Sequence, residues 1–292
     1  VYKNYIKFLK IDPKSIVNSE EIPFLPIRFF KSHKAISKRK VHEKIFLSSG
    51  TTQTGRSKHY VSSLKLYQNS FLKSFKINFG NIEDYTLLAL LPSYQEQGDS
   101  SLIYMTNELM KRANQKSKYI SKIDPKTVEM IKKLEAKKVL LLGVSYALLD
   151  LAEQYEFDFS NWIVMETGGM KGRRKELTRS ELYGILKKAF NIETIHSEYG
   201  MTELLSQAYS KSDGDFYCPP WMSVSIREIN DPFEKCKKNK TGGINIIDLA
   251  NMYSCSFIAT DDLGKKTEKG FKVLGRFDHS DTRGCNQLNP FF

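Results

Sequence analysis

The hydrophobic and polar positions of this chain follow two alternating patterns up to about residue 195. Short apolar runs, each long enough for a buried strand, are followed by stretches in which apolar residues recur every three or four positions, as on one face of a helix. The predicted strands are Ile45–Leu47, Tyr85–Leu91, Val139–Gly143, Trp162–Met165 and Ile192–Ile195. The predicted helices are the stretch with Leu64, Tyr67, Phe71 and Phe75 at helical spacing, then Ser101–Ala113, Lys126–Lys137, Tyr146–Tyr155 and Ser180–Phe190. This order predicts an α/β fold in which helices cover a mainly parallel sheet.

The pattern changes after about Tyr217, where strand-length runs are separated by turns. The predicted strands of this part are Trp221–Arg227, Gly243–Asp248 and Ser256–Ala259. We therefore expect a smaller β-rich lobe at the C-terminal side. The predicted division is an α/β region over residues 1–216 and a β-rich lobe with a C-terminal tail over residues 217–292.

The composition indicates a globular protein. The 292 residues are 40% hydrophobic, which is enough for a sizeable core. No apolar run approaches the length of a membrane span, and no signal peptide is visible. Four cysteines, Cys218, Cys236, Cys255 and Cys285, lie far apart without a C-x-x-C pair, which argues against zinc and against the disulfide framework of a secreted protein. A cytoplasmic location is the resulting expectation.

The net charge of +12 raises the question of a nucleic-acid partner. Lysines concentrate in Lys31–Lys44, Lys171–Lys175 and Lys235–Lys240, but no helix-turn-helix, zinc knuckle or aromatic RNA-binding pattern accompanies them. The interpretation we favour is a solvated lysine surface and no nucleic-acid partner. Docking of an acidic protein and a basic nucleic-acid-binding module stay open as alternatives.

A loop rich in hydroxyl groups and glycine follows the first predicted strand. It contains Ser48, Ser49, Gly50, Thr51, Thr52, Gly55, Arg56 and Lys58. Glycine lets backbone N–H groups approach an oxyanion, hydroxyls add donors, and the two cations offset polyphosphate charge. This combination predicts a phosphate-binding loop, although a Ser/Gly turn without a ligand has a similar composition.

Two families have loops of this kind. Counted from Gly50, the residues give G-x-x-x-x-G-R-S, which differs from the P-loop NTPase pattern by Arg56 in place of lysine. Counted from Ser48, the string resembles the Ser/Thr/Gly-rich loop of the adenylate-forming superfamily, with Gln53-Thr54 delaying the next glycine and Ser57 replacing a proline.

A second segment, Ser197-Glu198-Tyr199-Gly200-Met201-Thr202-Glu203, resembles the Y-G-x-T-E signature of the same superfamily. The resemblance implies that Tyr199 and Gly200 form a tight turn in the nucleotide site. It also implies that the Thr202 hydroxyl bonds the α-phosphate and that the Glu203 carboxylate holds Mg²⁺. Without the resemblance, Glu203 is equally explained as an acidic residue at a helix start.

Three further segments resemble superfamily motifs and follow in the same order. Thr167-Gly168-Gly169 resembles the Gly-Gly segment that passes along the adenine, which implies nucleotide contacts for Gly168 and Gly169. Thr260–Gly264 resembles T-G-D-L-G, which implies that Asp262 bonds the ribose hydroxyls. Gly275–Asp278 resembles G-R-x-D, which implies that Arg276 reaches the nucleotide. Each match is short, but five matches in one order favour the superfamily.

The chain ends 14 residues after Asp278, where longer members carry a small C-terminal domain with a catalytic lysine. It therefore resembles the short branch, the LuxE-type acyl-protein synthetases of bacterial luminescence, which contain the large domain alone. The resemblance implies ATP and Mg²⁺ as cofactors, a fatty acid activated as its acyl-adenylate, and transfer to Cys285 as a thioester. Arg283 close by favours the Cys285 thiolate.

The resemblance also sets expectations for the acyl site and the partners. An apolar acyl tunnel is expected from Pro92–Met105 and from the segment near Gly168–Met170. The acyl group would pass to an acyl-reducing enzyme or a carrier protein. A short acyl-CoA or acyl-carrier ligase is the first alternative, and a P-loop-like NTPase stays open beside it.

Overall fold

Strands and helices alternate along most of the chain, as the sequence pattern predicts. The computed structural model describes residues 1–49, 55–91, 98–169, 177–212, 214–237 and 239–277. The α-helices of this part are α1 (Tyr2–Phe8), α2 (Phe29–Ser32), α3 (Leu64–Phe79), α4 (Ser101–Met110), α5 (Pro125–Lys132), α6 (Ser145–Gln154) and α7 (Arg179–Phe190). The strands are β1 (Leu25–Pro26), β2 (Lys44–Leu47), β3 (Lys58–Val61), β4 (Thr86–Leu90), β5 (Lys118–Ile120), β6 (Val139–Val144), β7 (Ile163–Thr167), β8 (His196–Tyr199), β9 (Ala208–Ser210), β10 (Asp215–Tyr217), β11 (Met222–Arg227), β12 (Gly242–Asp248), β13 (Phe257–Lys266) and β14 (Phe271–Arg276).

One large mixed sheet organises the fold. Along it the strands run β11, β12, β13, β14, β10, β9, β8, β7, β6, β4 and β5, and β1 pairs with β13. Strands β4 to β8 are parallel to one another, whereas β8 to β14 are joined by antiparallel pairs. The hairpin of β2 and β3 forms a separate two-stranded sheet. The predicted parallel sheet is therefore confirmed for β4 to β8, and the β-rich part continues the same sheet.

Alternation along the parallel strands directs side chains to two hydrophobic cores. On β6, Leu140 and Leu142 pack with α3 and α4, whereas Leu141 between them packs with α6 and α7. Leu87 and Leu88 of β4 divide in the same way. Because successive side chains of a strand point to opposite faces, runs that are apolar throughout form strands covered by helices on both sides.

Local signals fix the ends of several helices. The Ser63 side chain accepts from the N–H of Leu66 at the start of α3, and Thr178 and Glu181 form a capping box at the start of α7. Asn191, in the left-handed region at φ 46°, ends α7. These caps explain why the two helices lie close to the positions that the sequence predicts.

One predicted strand is wrong. Residues 192–195 are not a strand, and β8 begins at His196, where the predicted strand would already have ended. The reason is pairing: β8 hydrogen-bonds to both β7 and β9 through the polar residues His196, Ser197 and Glu198. Backbone pairing inside a sheet does not require apolar side chains.

The predicted division between residues 216 and 217 stays a prediction, and it falls inside β10. Within the described residues, no helix has the length and apolar character that crossing a membrane requires.

Candidate active site

The predicted site residues lie around the carboxyl ends of β7 and β8, beside the hairpin of β2 and β3. Parallel strands end at a common edge of the sheet, and the loops that follow them often form the ligand site of an α/β fold. Gly168 and Gly169 follow β7, and Gly200 to Glu203 follow β8. The separate hairpin brings a third loop to the same region, as the contacts of Ser57 show below.

The two ends of the hydroxyl-rich loop are tied together by polar contacts. The Ser48 hydroxyl accepts from the N–H of Ser57 at 2.9 Å, and the Ser48 N–H donates to the Ser57 carbonyl at 3.1 Å. The Arg56 guanidinium donates to the main-chain carbonyls of Ser48 and Leu47. Part of the donor capacity of Arg56 therefore holds the loop shut. Ser49 and Lys58 are exposed, and Lys58 begins β3.

The two glycines after β7 have a conformational reason to be glycine. Gly168 and Gly169 have φ values of 76° and 72°, in the left-handed region that side chains with a Cβ rarely adopt. Both residues are exposed at the edge of the sheet. The turn therefore presents bare backbone at the position where the sequence predicts contact with an adenine.

Gly200 is required for a different reason, which is space. A Cβ at this position would lie 2.4 Å from Oε1 of Glu198, closer than two such atoms can approach. The glycine lets the chain turn sharply over the Glu198 side chain directly after β8. Thr202 follows and is half-buried.

Glu203 is a buried acidic residue that touches the hydroxyl-rich loop. Its side chain is 5% exposed, and the Ser57 hydroxyl donates to its carboxylate. Burial raises the pKa of Glu203, while the Ser57 hydrogen bond and the charge of Arg276 oppose that shift and the charge of Asp262 adds to it. Segments far apart in the sequence therefore meet at this carboxylate, as the sequence predicts for the loop and the Y-G-x-T-E segment.

Asp262 and Arg276 form the second half of the site. They face each other across β13 and β14, and the Arg276 Nε lies 3.2 Å from Oδ1 of Asp262. The Tyr199 hydroxyl donates to Oδ2 of Asp262 at 2.8 Å. Burial raises the pKa of Asp262, and the charge of Arg276 and the Tyr199 hydrogen bond oppose the shift. Tyr199, Asp262 and Arg276 are thus one connected group beside Glu203.

Several predicted site residues lie outside the described residues. They are Gly50, Thr51, Thr52 and Cys285. Gly55, at the described edge of the loop, has a φ of 82° and is exposed.

The P-loop NTPase alternative does not fit the hairpin. A P-loop connects a strand to a helix, and the helix N-terminus helps to hold the phosphates. Here the loop connects β2 to β3, and the two strands pair antiparallel with Leu47 opposite Lys58. The loop after Gly50 therefore belongs to a β-hairpin.

A magnesium ion is the metal that the predicted site implies. Among the described residues, no group of three or more His, Cys, Asp or Glu side chains is arranged to hold a metal by itself. Mg²⁺ bound to a nucleotide commonly takes one or two carboxylates together with phosphate oxygens and waters. The single buried carboxylate of Glu203, already held by a hydroxyl, suits that kind of coordination.

The three cysteines within the described residues are poor candidates for a reactive thiolate. Burial raises the pKa of Cys218 to about 12 and that of Cys255 to about 11, and it also raises the pKa of Cys236. All three are free thiols that stay protonated at neutral pH. Cys218 therefore fits the structural role that the sequence suggests for it.

Two residues that contact the site were missed at the level of sequence. Ser57 stands where the superfamily motif has proline, and its hydroxyl is the group that reaches Glu203. Arg227 of β11 donates to the Thr260 carbonyl at 2.6 Å and to Asn245 Oδ1 at 2.9 Å, beside Asp262. No short motif marks Arg227, because its contacts are with strands that lie later in the chain.

Comparisons with known proteins identify the fold. No family profile matches the sequence, and no curated protein matches it. Solved structures do match, and those with the same architecture are adenylate-forming, acyl-CoA synthetase-like enzymes. The large domain of those enzymes is therefore the fold of this chain.

Three of these structures illustrate the similarity. ATP-bound MatB from Rhodopseudomonas palustris superposes with a TM-score of 0.60 at 17% identity, over 80% of this chain and 47% of that one. O-succinylbenzoate coenzyme A synthetase from Bacillus subtilis, in complex with ATP and magnesium ion, gives 0.57 at 18% identity, over 80% and 49%. A long-chain-fatty-acid-CoA ligase from Archaeoglobus fulgidus gives 0.56 at 16% identity, over 80% and 51%. The chain spans about half the length of the structures it matches.

Proposed function

We propose that this protein uses ATP and Mg²⁺ to activate a carboxylic acid as its acyl-adenylate and then passes the acyl group to a thiol. The observation that carries the proposal is the meeting of Ser57, Glu203, Asp262 and Arg276 at one edge of the sheet. These residues belong to segments that resemble adenylate-forming motifs, and the chain shares the fold of enzymes solved with ATP. Fold and motif residues thus support the same chemistry.

Each group has a role in the first step. The Thr202 hydroxyl would donate to the α-phosphate, and the Glu203 carboxylate would hold Mg²⁺, which neutralises charge on the phosphates. One oxygen of the substrate carboxylate attacks the α-phosphorus, the bond from that phosphorus to the β-bridging oxygen breaks, and pyrophosphate leaves. Asp262 would accept hydrogen bonds from the ribose hydroxyls, since a carboxylate that holds Arg276 and Tyr199 still has free lone pairs.

The second step transfers the acyl group to sulfur. A thiolate attacks the acyl carbon, the bond to the adenylate oxygen breaks, AMP leaves, and a thioester forms. We propose Cys285 as the acceptor and a fatty acid as the substrate. The raised pKa values of Cys218, Cys236 and Cys255 support the choice, because those thiols are protonated and buried. Transfer to coenzyme A is the competing outcome, favoured by the coenzyme A ligases that share the fold.

Exchange between ATP and labelled pyrophosphate tests the first step. We expect exchange that depends on Mg²⁺ and on a carboxylic acid, with medium- and long-chain fatty acids the best of a panel. Glu203→Gln should abolish it with the fold intact, because the change removes one charge and little volume. Release of orthophosphate, or exchange at the same rate without acid, would reject adenylation.

Labelling of the polypeptide tests the second step. Incubation with ATP, Mg²⁺ and a labelled fatty acid should give a hydroxylamine-sensitive label on the protein. Cys285→Ser should remove the label and leave pyrophosphate exchange unchanged, whereas the control Cys218→Ser should keep both. A label that survives Cys285→Ser, or transfer only to added coenzyme A, would favour an acyl-CoA ligase.

A further inference from the structure

A buried histidine joins the hydroxyl-rich hairpin to the Thr202-Glu203 segment. His59 lies on β3, two residues after Ser57, and its side chain is fully buried. Its Nδ1 lies 2.8 Å from the carbonyl oxygen of Thr202, and its Nε2 lies 3.0 Å from Oδ1 of Asn251. Histidine at this position belongs to none of the motifs described above.

Asn251 extends the connection to Glu203. It lies in the short 3₁₀ turn after β12 and is 1% exposed. Its Nδ2 donates to the carbonyl oxygen of Glu203 at 2.7 Å. This donor fixes the orientation of the amide, because the reversed amide would place two carbonyl oxygens against each other. Asn251 thus carries the hold of His59 on to the next peptide of the turn.

The spacing of Ser57 and His59 gives the arrangement its purpose. Alternate residues of an extended chain point to the same side, so both side chains reach the same neighbour. The Ser57 hydroxyl holds the carboxylate of Glu203, while His59 holds the backbone of Thr202 directly and that of Glu203 through Asn251. The hairpin therefore holds this segment by side chain and by main chain together.

We infer that His59 is a positioning residue, which sets the Thr202 hydroxyl and the Glu203 carboxylate at a fixed distance from the hydroxyl-rich loop for binding of magnesium and nucleotide phosphate. This inference rests on the proposed function for the identity of the ligand. A purely structural role explains burial and the edge-on contact of Phe30 with the ring at 5.7 Å. It does not explain why both ring nitrogens face oxygens that belong to, or connect to, the Thr202-Glu203 backbone.

Three substitutions at position 59 separate the two contacts. In His59→Asn the amide nitrogen falls near the former Nδ1 and still donates to the Thr202 carbonyl. In His59→Gln it falls near the former Nε2 and reaches Asn251 only. His59→Leu removes both contacts and keeps an apolar side chain of similar size. Leu186→Ala, in the core beneath α7 and remote from the site, is the control for loss of stability alone.

The measurements are KM and kcat in pyrophosphate exchange and the thermal shift produced by MgATP. For His59→Leu we expect KM for MgATP to rise by about tenfold or more, the size of loss typical when a residue supporting a ligand group is removed. KM for the acid should stay within about twofold, because the acyl end of the site is not touched. His59→Asn should lie closer to wild type than His59→Gln, and Leu186→Ala should lower the melting temperature without changing KM for MgATP.

An unchanged KM for MgATP in His59→Leu, or an equal rise in Leu186→Ala, would overturn the inference. Should His59→Leu fail to fold, the order of the Asn and Gln variants decides, and equal or reversed effects would overturn it. If wild type binds MgATP but exchanges pyrophosphate with no acid, the proposed function fails, while the thermal shift with MgATP still tests His59.

Discussion

The hydrogen bond from Tyr199 to Asp262 gives the sharpest quantitative prediction. The Tyr199 hydroxyl donates at 2.8 Å to a carboxylate that is 8% exposed and paired with Arg276. Tyr199→Phe removes this donor with almost no change in volume. Because the acceptor is charged and buried, we expect the free energy of unfolding to fall by about 1.5 to 3 kcal/mol. For a chain of this size that corresponds to a melting temperature lower by about 3 to 12 °C.

The chain offers a matched control at Tyr85. That residue is 5% exposed, and its hydroxyl donates at 2.7 Å to the neutral carbonyl of Phe79. Tyr85→Phe is the same chemical change without a charged acceptor, so we expect a smaller loss of about 0.5 to 1.5 kcal/mol. Urea unfolding at pH 7.5, with the slope compared between variants, measures both.

A double-mutant cycle isolates the pair. In the Asp262→Asn background, Tyr199→Phe should cost about 1 to 2 kcal/mol less than in wild type, since the charge that the hydroxyl stabilises is gone. A coupling energy of zero, or a loss in Tyr199→Phe no greater than that in Tyr85→Phe, would refute the reasoning. Asp262→Asn should also weaken nucleotide binding if Asp262 holds the ribose.

Three further predictions follow from individual residues. Glu203→Gln should raise the free energy of unfolding at neutral pH while it abolishes exchange, because burial raises the pKa of Glu203 and its ionised form is therefore the costly one in the folded state; calorimetry that shows a clear loss of stability would contradict this. Burial lowers the pKa of His59 from 6.5 to about 4, so the unfolded chain binds the extra proton and stability should fall by about 3 kcal/mol as pH drops from about 6.5 to 4; urea unfolding across this range should show a weaker pH dependence in His59→Asn. Gly169→Ala should cost about 1 kcal/mol through its φ of 72°, whereas Gly184→Ala on the exposed side of α7 should stabilise by about 0.5 to 1 kcal/mol; both sites have open space for a Cβ, so equal effects in thermal unfolding would exclude the dihedral explanation.

Local features of the sequence determined most of the helices and the parallel strands. Strands β4 and β6 are apolar throughout because both of their faces are covered, and that pattern is visible in the sequence. The caps at Ser63 and Thr178 and the glycines after β7 are equally local, since each acts within a few residues of itself. Short motifs also identified the residues that meet around Glu203.

Tertiary structure alone decided the strands and contacts that depend on distant partners. Strands β3, β5, β9, β10 and β14 are short or polar, and β8 is displaced from its apolar neighbour segment, because a backbone pairs wherever an adjacent strand presents free groups. His59 and Asn251 carry no motif, yet they lie 143 and 48 residues from the backbone groups that they hold. Hydrogen bonds of this kind form only when folding brings the chain segments together, so no local pattern of hydrophobic and polar residues encodes them.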